Sequence, residues 1–313
     1  MRSNRIILHD ETKITMINPE TLRLLERYKV DMMMRNLSEN TQQHYIWDLQ
    51  QWLIYVMENQ QNREVTELTD EDLTEFLYFC KKQGNNAARI KVRIATISAF
   101  YKFLRKKRII RENPTEFIDR PKQGPKITVQ TYLTSEQVAL MREKLIGYDN
   151  LQLRLYAMLS LSTMARVTAI ASIRWDQIDL EAKVVRGVLE KEAKIVDLFF
   201  SDECKCLLQE LRTERENRGI DDGGYVFKGR TKGKPINKAT LTGWAHKIGV
   251  MIGVPTLHPH DFRHSGATLL KNAGMALEDV SVLLNHESTD TTKRFYIKQN
   301  TAQLSAMKQV YNI

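Results

Sequence analysis

Three histidines fall within seven residues in the segment Leu257-His258-Pro259-His260-Asp261-Phe262-Arg263-His264-Ser265. Imidazoles at that density invite a zinc site. However, Pro259 interrupts any helix that would align all three, and the HExxH arrangement is absent. The other chemistry open to the segment is phosphate binding. His260 and Arg263 lie three apart, so on the first turn of a helix beginning near Asp261 they point the same way, toward an anion at the helix N-terminus. The bland reading, polar residues that only cap this helix, carries no chemistry. A second metal-type pair, Cys204-x-Cys206, has no matching Cys or His cluster nearby and is expected on a surface helix. No metal and no other cofactor is expected.

Two more segments bracket the histidines. Upstream, Thr163-Met164-Ala165-Arg166-Val167-Thr168 is followed by Ile173-Arg174-Trp175-Asp176-Gln177-Ile178-Asp179. Downstream, Leu283-Leu284-Asn285-His286-Glu287-Ser288 is followed by Thr291-Thr292-Lys293-Arg294-Phe295-Tyr296. In order and spacing the three segments resemble the first arginine box, the H-x-x-R box and the LLGH box with its terminal tyrosine in the tyrosine recombinases, the phage integrase family. The resemblance covers most of the chain from about Leu133 onward, and the helical region before it is similar in size and placement to the family's core-binding domain.

That resemblance implies a catalytic set of Arg166, Lys191, His260, Arg263, His286 and Tyr296, with Tyr296 as the nucleophile. The family places the lysine on a β-hairpin turn. Here Lys191 and Lys194 flank a turn near Glu192-Ala193, and Lys191 fits the family position better. Tyr311 is a rival nucleophile, but it lies two residues from the C-terminus and outside the box. Some positions depart from the family pattern. Met164 stands where a glycine is usual, Ala169 where an acidic residue follows the first arginine by three, and Asn285 where a glycine precedes the histidine; the usual hairpin glycine is also missing.

The set makes physical sense for cutting a phosphodiester without water or metal. That reaction needs a nucleophile, neutralisation of the pentacovalent phosphate, and a proton for the leaving oxygen. Arg166 and Arg263 would supply bidentate, permanently charged donors. His260 can take or return a proton near neutral pH, and His286 would donate one more hydrogen bond to the phosphate. The expected reaction is site-specific recombination through a 3′-phosphotyrosine, for integration or excision of a mobile element or for resolution of DNA. A DNA-binding architectural factor without catalysis would not need all six groups. A type IB topoisomerase shares the chemistry, but the short two-domain layout and the LLNH-to-tyrosine spacing favour a recombinase.

These residues must be positioned by two domains' worth of chain. The protein has 313 residues, 42% of them apolar and 27% charged, the balance of a globular protein. Lys and Arg outnumber Asp and Glu by 47 to 38, a net charge of +9, which favours a polyanionic partner. No apolar run approaches the ~20 residues that span a bilayer, so no membrane partner is expected. An odd cysteine count (Cys80, Cys204, Cys206) points to a reducing cytosol, with the protein on the nucleoid.

The chain reads as mostly α with a small antiparallel β-sheet. Residues 1–19 form an N-terminal extension, 20–118 a helical core DNA-binding domain, 119–132 a Pro-rich linker, and 133–313 a catalytic domain ending in a tail helix over 301–313. Thr69-Asp70-Glu71-Asp72 and Thr134-Ser135-Glu136-Gln137 are helix starts. β-rich runs at 178–180, 183–190 and 194–200 are separated by two or three residues, as in an antiparallel meander. The stretch Arg89–Arg111 carries nine Lys or Arg and no acid around an apolar face of Ile90, Ile94, Ile97, Tyr101 and Leu104. Its Arg89, Lys91, Arg93, Lys102, Arg105 and Lys106 are candidate DNA contacts. In the tail, Leu304, Met307, Val310 and Tyr311 form an apolar stripe. The family resemblance implies that it docks on a neighbouring protomer, in a homotetramer assembled on paired DNA sites.

If arginines and a lysine do the work of a metal, strand cleavage should survive EDTA at the full rate. Loss of cleavage in chelator, restored by zinc or magnesium, would return the three histidines to a metal site.

Overall fold

The computed structural model describes residues 10–122, 132–190, 194–231 and 233–285. The chain forms two compact units, divided between residues 128 and 129. Each has its own apolar core. No helix among the described residues is long and apolar enough to cross a membrane.

The first unit is helical: α1 (Glu11–Ile14), α2 (Pro19–Met34), α3 (Glu39–Asn59), α4 (Asp70–Lys82) and α5 (Ala87–Lys106). Short polar side chains start them by accepting from otherwise unpaired N–H groups. Asn18 accepts from the N–H groups of Glu20 and Thr21, Ser38 from Thr41, and Asn86 from Arg89. Thr69 and Asp72 form the reciprocal capping box of α4. Tyr28, Trp52, Phe76, Phe100 and Tyr101 fill the centre, and the Tyr101 hydroxyl donates to the carbonyl of Val65 at 2.9 Å. This unit begins earlier than residue 20. Ile17 is buried in its core, and the Asn18 N–H donates to Asn62 Oδ1 at 2.8 Å, so part of the expected extension is domain.

Two of the expected DNA contacts on α5 are spent inside the unit instead. Arg93 is buried, with Nε donating to Asn85 Oδ1 at 2.9 Å and Nη2 to Gln51 Oε1 at 3.0 Å. Arg89 pairs through both Nη groups with the buried carboxylate of Asp48, one of them at 3.0 Å. Both side chains are therefore engaged by acceptors of the same unit, Arg93 from a buried position and Arg89 from a half-buried one. Arg105 pairs with Glu116 at 2.7 Å, but both are exposed. Lys102 and Lys106 are exposed and Lys91 is half-buried.

The second unit contains α6 (Ser135–Leu145), α7 (Leu151–Thr163), α8 (Val167–Ser172), β1 (Ile178–Asp179), β2 (Val184–Leu189), β3 (Ile195–Phe199), α9 (Asp202–Asn217), α10 (Lys238–Met251), α11 (Pro259–Asn272) and α12 (Leu277–Leu283). Helix α7 is apolar on all sides, with Leu153, Leu155, Tyr156 and Leu159 buried, and packs against α9 and α11. A helix of that pattern belongs in the middle of a domain. The three strands form an antiparallel meander in the order β1-β2-β3, with Ile178 opposite Val185 and Val184 opposite Phe199. Its inner face of Val185, Val188, Val196 and Leu198 joins the core. The register slips between Val185 and Val188, where Gly187 takes φ 64° and supplies the extra residue of a bulge.

A close approach between helices lies where α11 meets the end of α7. A Cβ built on Gly266 would sit 2.3 Å from the carbonyl oxygen of Leu161 and 2.7 Å from Met164 Cγ. Only a glycine lets the two helices meet there, and this contact sets the distance between the two arginine segments. Gly266→Ala should destabilise the packing of α7 on α11 by about 1–3 kcal/mol. Gly243→Ala, in open space on α10, should be neutral or raise stability by about 0.4–1 kcal/mol. Native-state hydrogen exchange of α7 and α11 amides in the full chain checks both; equal protection in the two variants would contradict the close approach.

Candidate active site

Helix α11 begins where the sequence places it. Pro259 occupies its first turn with φ fixed for helix, and the Asp261 carboxylate accepts the His258 N–H at 2.7 Å. Leu257 and Phe262 are buried and anchor the segment from either side. Ser265 Oγ donates to the Asp261 carbonyl at 2.6 Å and accepts the Leu133 N–H at 2.7 Å, tying the helix to the start of the unit. His260 is left on the exposed side.

Arg263 points inward. Its Nη1 donates to the carbonyl of Met164 at 2.7 Å, and its Nη2 donates to the carbonyl of Leu284. One side chain therefore joins the three segments that the sequence singled out. Both acceptors sit at helix ends, Met164 capping α7 and Leu284 capping α12. Met164 is left-handed, at φ 54° and ψ 21°, and Asn285 has φ 51°. These are two of the positions where the family carries glycine, and the backbone conformation gives the reason. Asn tolerates it with small cost. Met164 bears a larger strain, offset by burial of its side chain beside Ala267, Val280 and Leu284.

Arg166 is the N-cap of α8 and half-exposed. Its Nη1 donates to the Glu190 carboxylate, which is fully buried at the end of β2. Sequence reasoning missed Glu190. One signal pointed towards it: the acid usual at position 169 is absent, so a carboxylate partner for Arg166 had to come from elsewhere in the chain.

His260, though exposed as a residue, has its imidazole pushed below the ordinary value of 6.5, first by partial desolvation of the ring and then by the positive charge of Arg263, with a smaller push from Arg166; only Asp261 opposes them. Burial raises the Asp261 carboxyl, against the His258 N–H and the nearby imidazoles of His258 and His260. The His264 ring lies edge-on to His260 at 4.5 Å. A neutral imidazole flanked by two guanidiniums can receive an anion and accept a proton.

The structure thus brings Arg166, His260 and Arg263 into one electrostatic neighbourhood. Lys194 is exposed, and its carbonyl accepts the Glu190 N–H at 2.8 Å across the hairpin turn. Lys191, His286, Tyr296 and the tail 301–313 lie outside the described residues. Cys204 faces the core of α9 and Cys206 faces solvent, so the two thiols diverge.

A profile described as phage integrase family matches residues 131–303, and one described as phage integrase, N-terminal SAM-like domain matches residues 25–108. The chain is 30% identical over 288 residues to the tyrosine recombinase XerD of Oceanobacillus iheyensis, covering 89% of this chain and 94% of that one. It is 27% identical over 277 residues to the tyrosine recombinase XerC of Syntrophus aciditrophicus, covering 83% and 88%. Among solved structures it matches the Tn1549 transposon integrase in complex with transposon right end DNA, with a TM-score of 0.67 and 17% identity over 90% of this chain and 98% of that one. It also matches a lambda integrase dimer bound to a COC′ core site, with a TM-score of 0.67 and 17% identity over 87% and 76%. The structural likeness is one of fold: mostly helical, in two domains, with a three-stranded antiparallel sheet.

Because the folded pKa of His260 lies below its unfolded one, folding favours the neutral ring. That contribution is complete above pH 6.5 and is lost as pH falls through the folded value. An NMR titration of the free protein should place His260 below 6.5, and Arg166→Gln should raise it. A value at or above 6.5 would remove the electrostatic link between the two segments.

Proposed function

The chain belongs to the phage integrase family of tyrosine recombinases, and from that premise we propose how its own residues cut and rejoin DNA. The protein is a site-specific DNA recombinase whose reaction passes through a 3′-phosphotyrosine. In the proposed assignment, the Tyr296 oxygen attacks the scissile phosphorus while His260, neutral before DNA binds, takes its proton. The bond from phosphorus to the 5′ oxygen breaks, and that oxygen leaves with a proton from Lys191, or from Lys194 if the hairpin presents that residue instead. Arg166, Arg263 and His286 balance the charge on the non-bridging oxygens. Attack by a 5′-hydroxyl from the partner strand runs the same steps backwards and releases Tyr296.

The observation that carries this assignment is the bond from Arg263 to the Met164 carbonyl, two residues before Arg166. Segments far apart in sequence meet there, and they are the segments that need to meet around one phosphate. The entering phosphate also supplies the negative charge that would raise the His260 pKa and make the ring a better proton acceptor.

The partner is double-stranded DNA. On the first unit, Lys91, Lys102 and Lys106 are the proposed backbone contacts, with Arg105 available because an exposed ion pair is worth little against a phosphate. We assign the working assembly as a homotetramer on paired sites, with the stripe of Leu304, Met307, Val310 and Tyr311 linking protomers. Integration or excision of a mobile element, or resolution of DNA, on the nucleoid is the role this chemistry would serve.

The test begins with a randomised duplex library, from which covalent capture selects a site. A nicked suicide substrate built on that site should then trap a protein–DNA adduct with the natural chain, and Tyr296→Phe should trap none. Adduct at unchanged yield in Tyr296→Phe would remove the assignment.

A further inference from the structure

Residue 166 is held twice by one carboxylate. Glu190 accepts from Arg166 Nη1 through one oxygen, and its other oxygen lies 3.5 Å from the Arg166 backbone nitrogen. The two contacts fix both where α8 starts and which way the guanidinium leaves it. The Glu190 side chain is 0% exposed, while that of Arg166 is 33% exposed. The buried partner is therefore the fixed one and the arginine is the one being aimed. Among the described residues its Nη1 alone is engaged, which leaves a second edge of the guanidinium for a phosphate. Glu190 is itself fixed by the hairpin strands, since its N–H donates to the Lys194 carbonyl at 2.8 Å just beyond the end of β2.

Ala169 is fully buried on α8, which packs on β2, so no carboxylate stands three residues after Arg166 on its own helix. We infer that Glu190 is the positioning residue of Arg166, a carboxylate supplied from the hairpin rather than from the arginine's own helix. It acts on the phosphate only through Arg166. It also couples the β2–β3 pairing to the proposed phosphate site, because whatever moves the end of β2 moves the arginine. This rests on the assignment of Arg166 to the phosphate given above.

The experiment measures single-turnover cleavage of the captured-site suicide substrate in two versions, one with the natural 5′ oxygen and one with a 5′-bridging phosphorothiolate. The sulfur leaves without needing a proton. Glu190→Gln, which keeps the shape and removes the charge, should slow cleavage by about 10–100-fold, the scale of a misaimed group, while site affinity stays within about twofold. The loss should be equal on both substrates. It should disappear in an Arg166→Ala background, where no arginine is left to aim. Adding Ala169→Glu to Glu190→Gln should recover part of the rate. Melting curves guard against misfolding, and Glu190→Asp, which keeps the charge, should lose less than Glu190→Gln.

Rescue by the phosphorothiolate would overturn the inference, because the role would then run through the leaving-group acid. So would an undiminished loss in the Arg166→Ala background, or natural cleavage by Glu190→Gln. If the natural chain forms no adduct at all, the recombinase assignment fails first, and that result is separable from the others.

Discussion

The second unit is organised around a guanidinium taken out of water. Arg263 is 3% exposed, and a buried cation is costly unless its donors find acceptors in the right directions. Its acceptors are the carbonyls of Met164 and Leu284, each at the C-terminal end of a helix. The last carbonyls of a helix lack intrahelical partners and carry the negative end of its dipole. The arginine satisfies them, and they in turn offset its charge. A lysine could not do this, since the two carbonyls lie along the fixed directions of a planar fork.

Several local oddities follow from that one arrangement. For the chain to turn out of α7 and out of α12 while presenting those carbonyls, the backbone turns left-handed at Met164 itself and at Asn285, the residue after Leu284. For α11 to come near enough to reach the end of α7, the residue one turn beyond Arg263 has no side chain, and it is Gly266. Thr163 completes the turn, donating to the Leu159 carbonyl at 2.7 Å and accepting the Ala165 N–H at 3.3 Å, and this hands the chain to Arg166. The His260 side chain, three residues before the buried arginine, is left on the exposed side with a cation at its back.

Much of this was legible in the sequence because it depends on local chemistry. Thr69 and Thr134 cap helices where their spacing to Asp72 and Gln137 says they should. The three strands end within a residue or so of their β-rich runs. The histidine segment shows its own helix start through Pro259 and Asp261. What composition could not reveal is which charges are buried. Composition puts nine cations around the apolar face of Arg89–Arg111 and makes Arg93 a candidate DNA contact, yet Arg93 lies three residues after Ile90 and four before Ile97, inside the apolar stripe. Helical spacing applied to the arginine, as it was to the isoleucines, would have placed it in the core. Asp48 and Gln51, which receive Arg89 and Arg93, come from another helix, and no pattern within α5 points to them.

The two arginines of the site are held by opposite means, and the difference has a consequence. Arg263 is fixed by main-chain carbonyls, which move only if the helices move. Arg166 is fixed by a side chain on a hairpin whose strand pairing already slips at Gly187 and whose edge residues Leu189 and Ile195 are exposed. Strand pairs with a bulge and an exposed face have fewer packed contacts to hold them than a central helix such as α7. One half of the proposed phosphate site is therefore as rigid as the helical core, and the other is only as rigid as the hairpin. A carboxylate on α8 itself would have aimed Arg166 with no reference to the hairpin. Placing it at Glu190 ties the position of the arginine to the end of β2 and its pairing with β3.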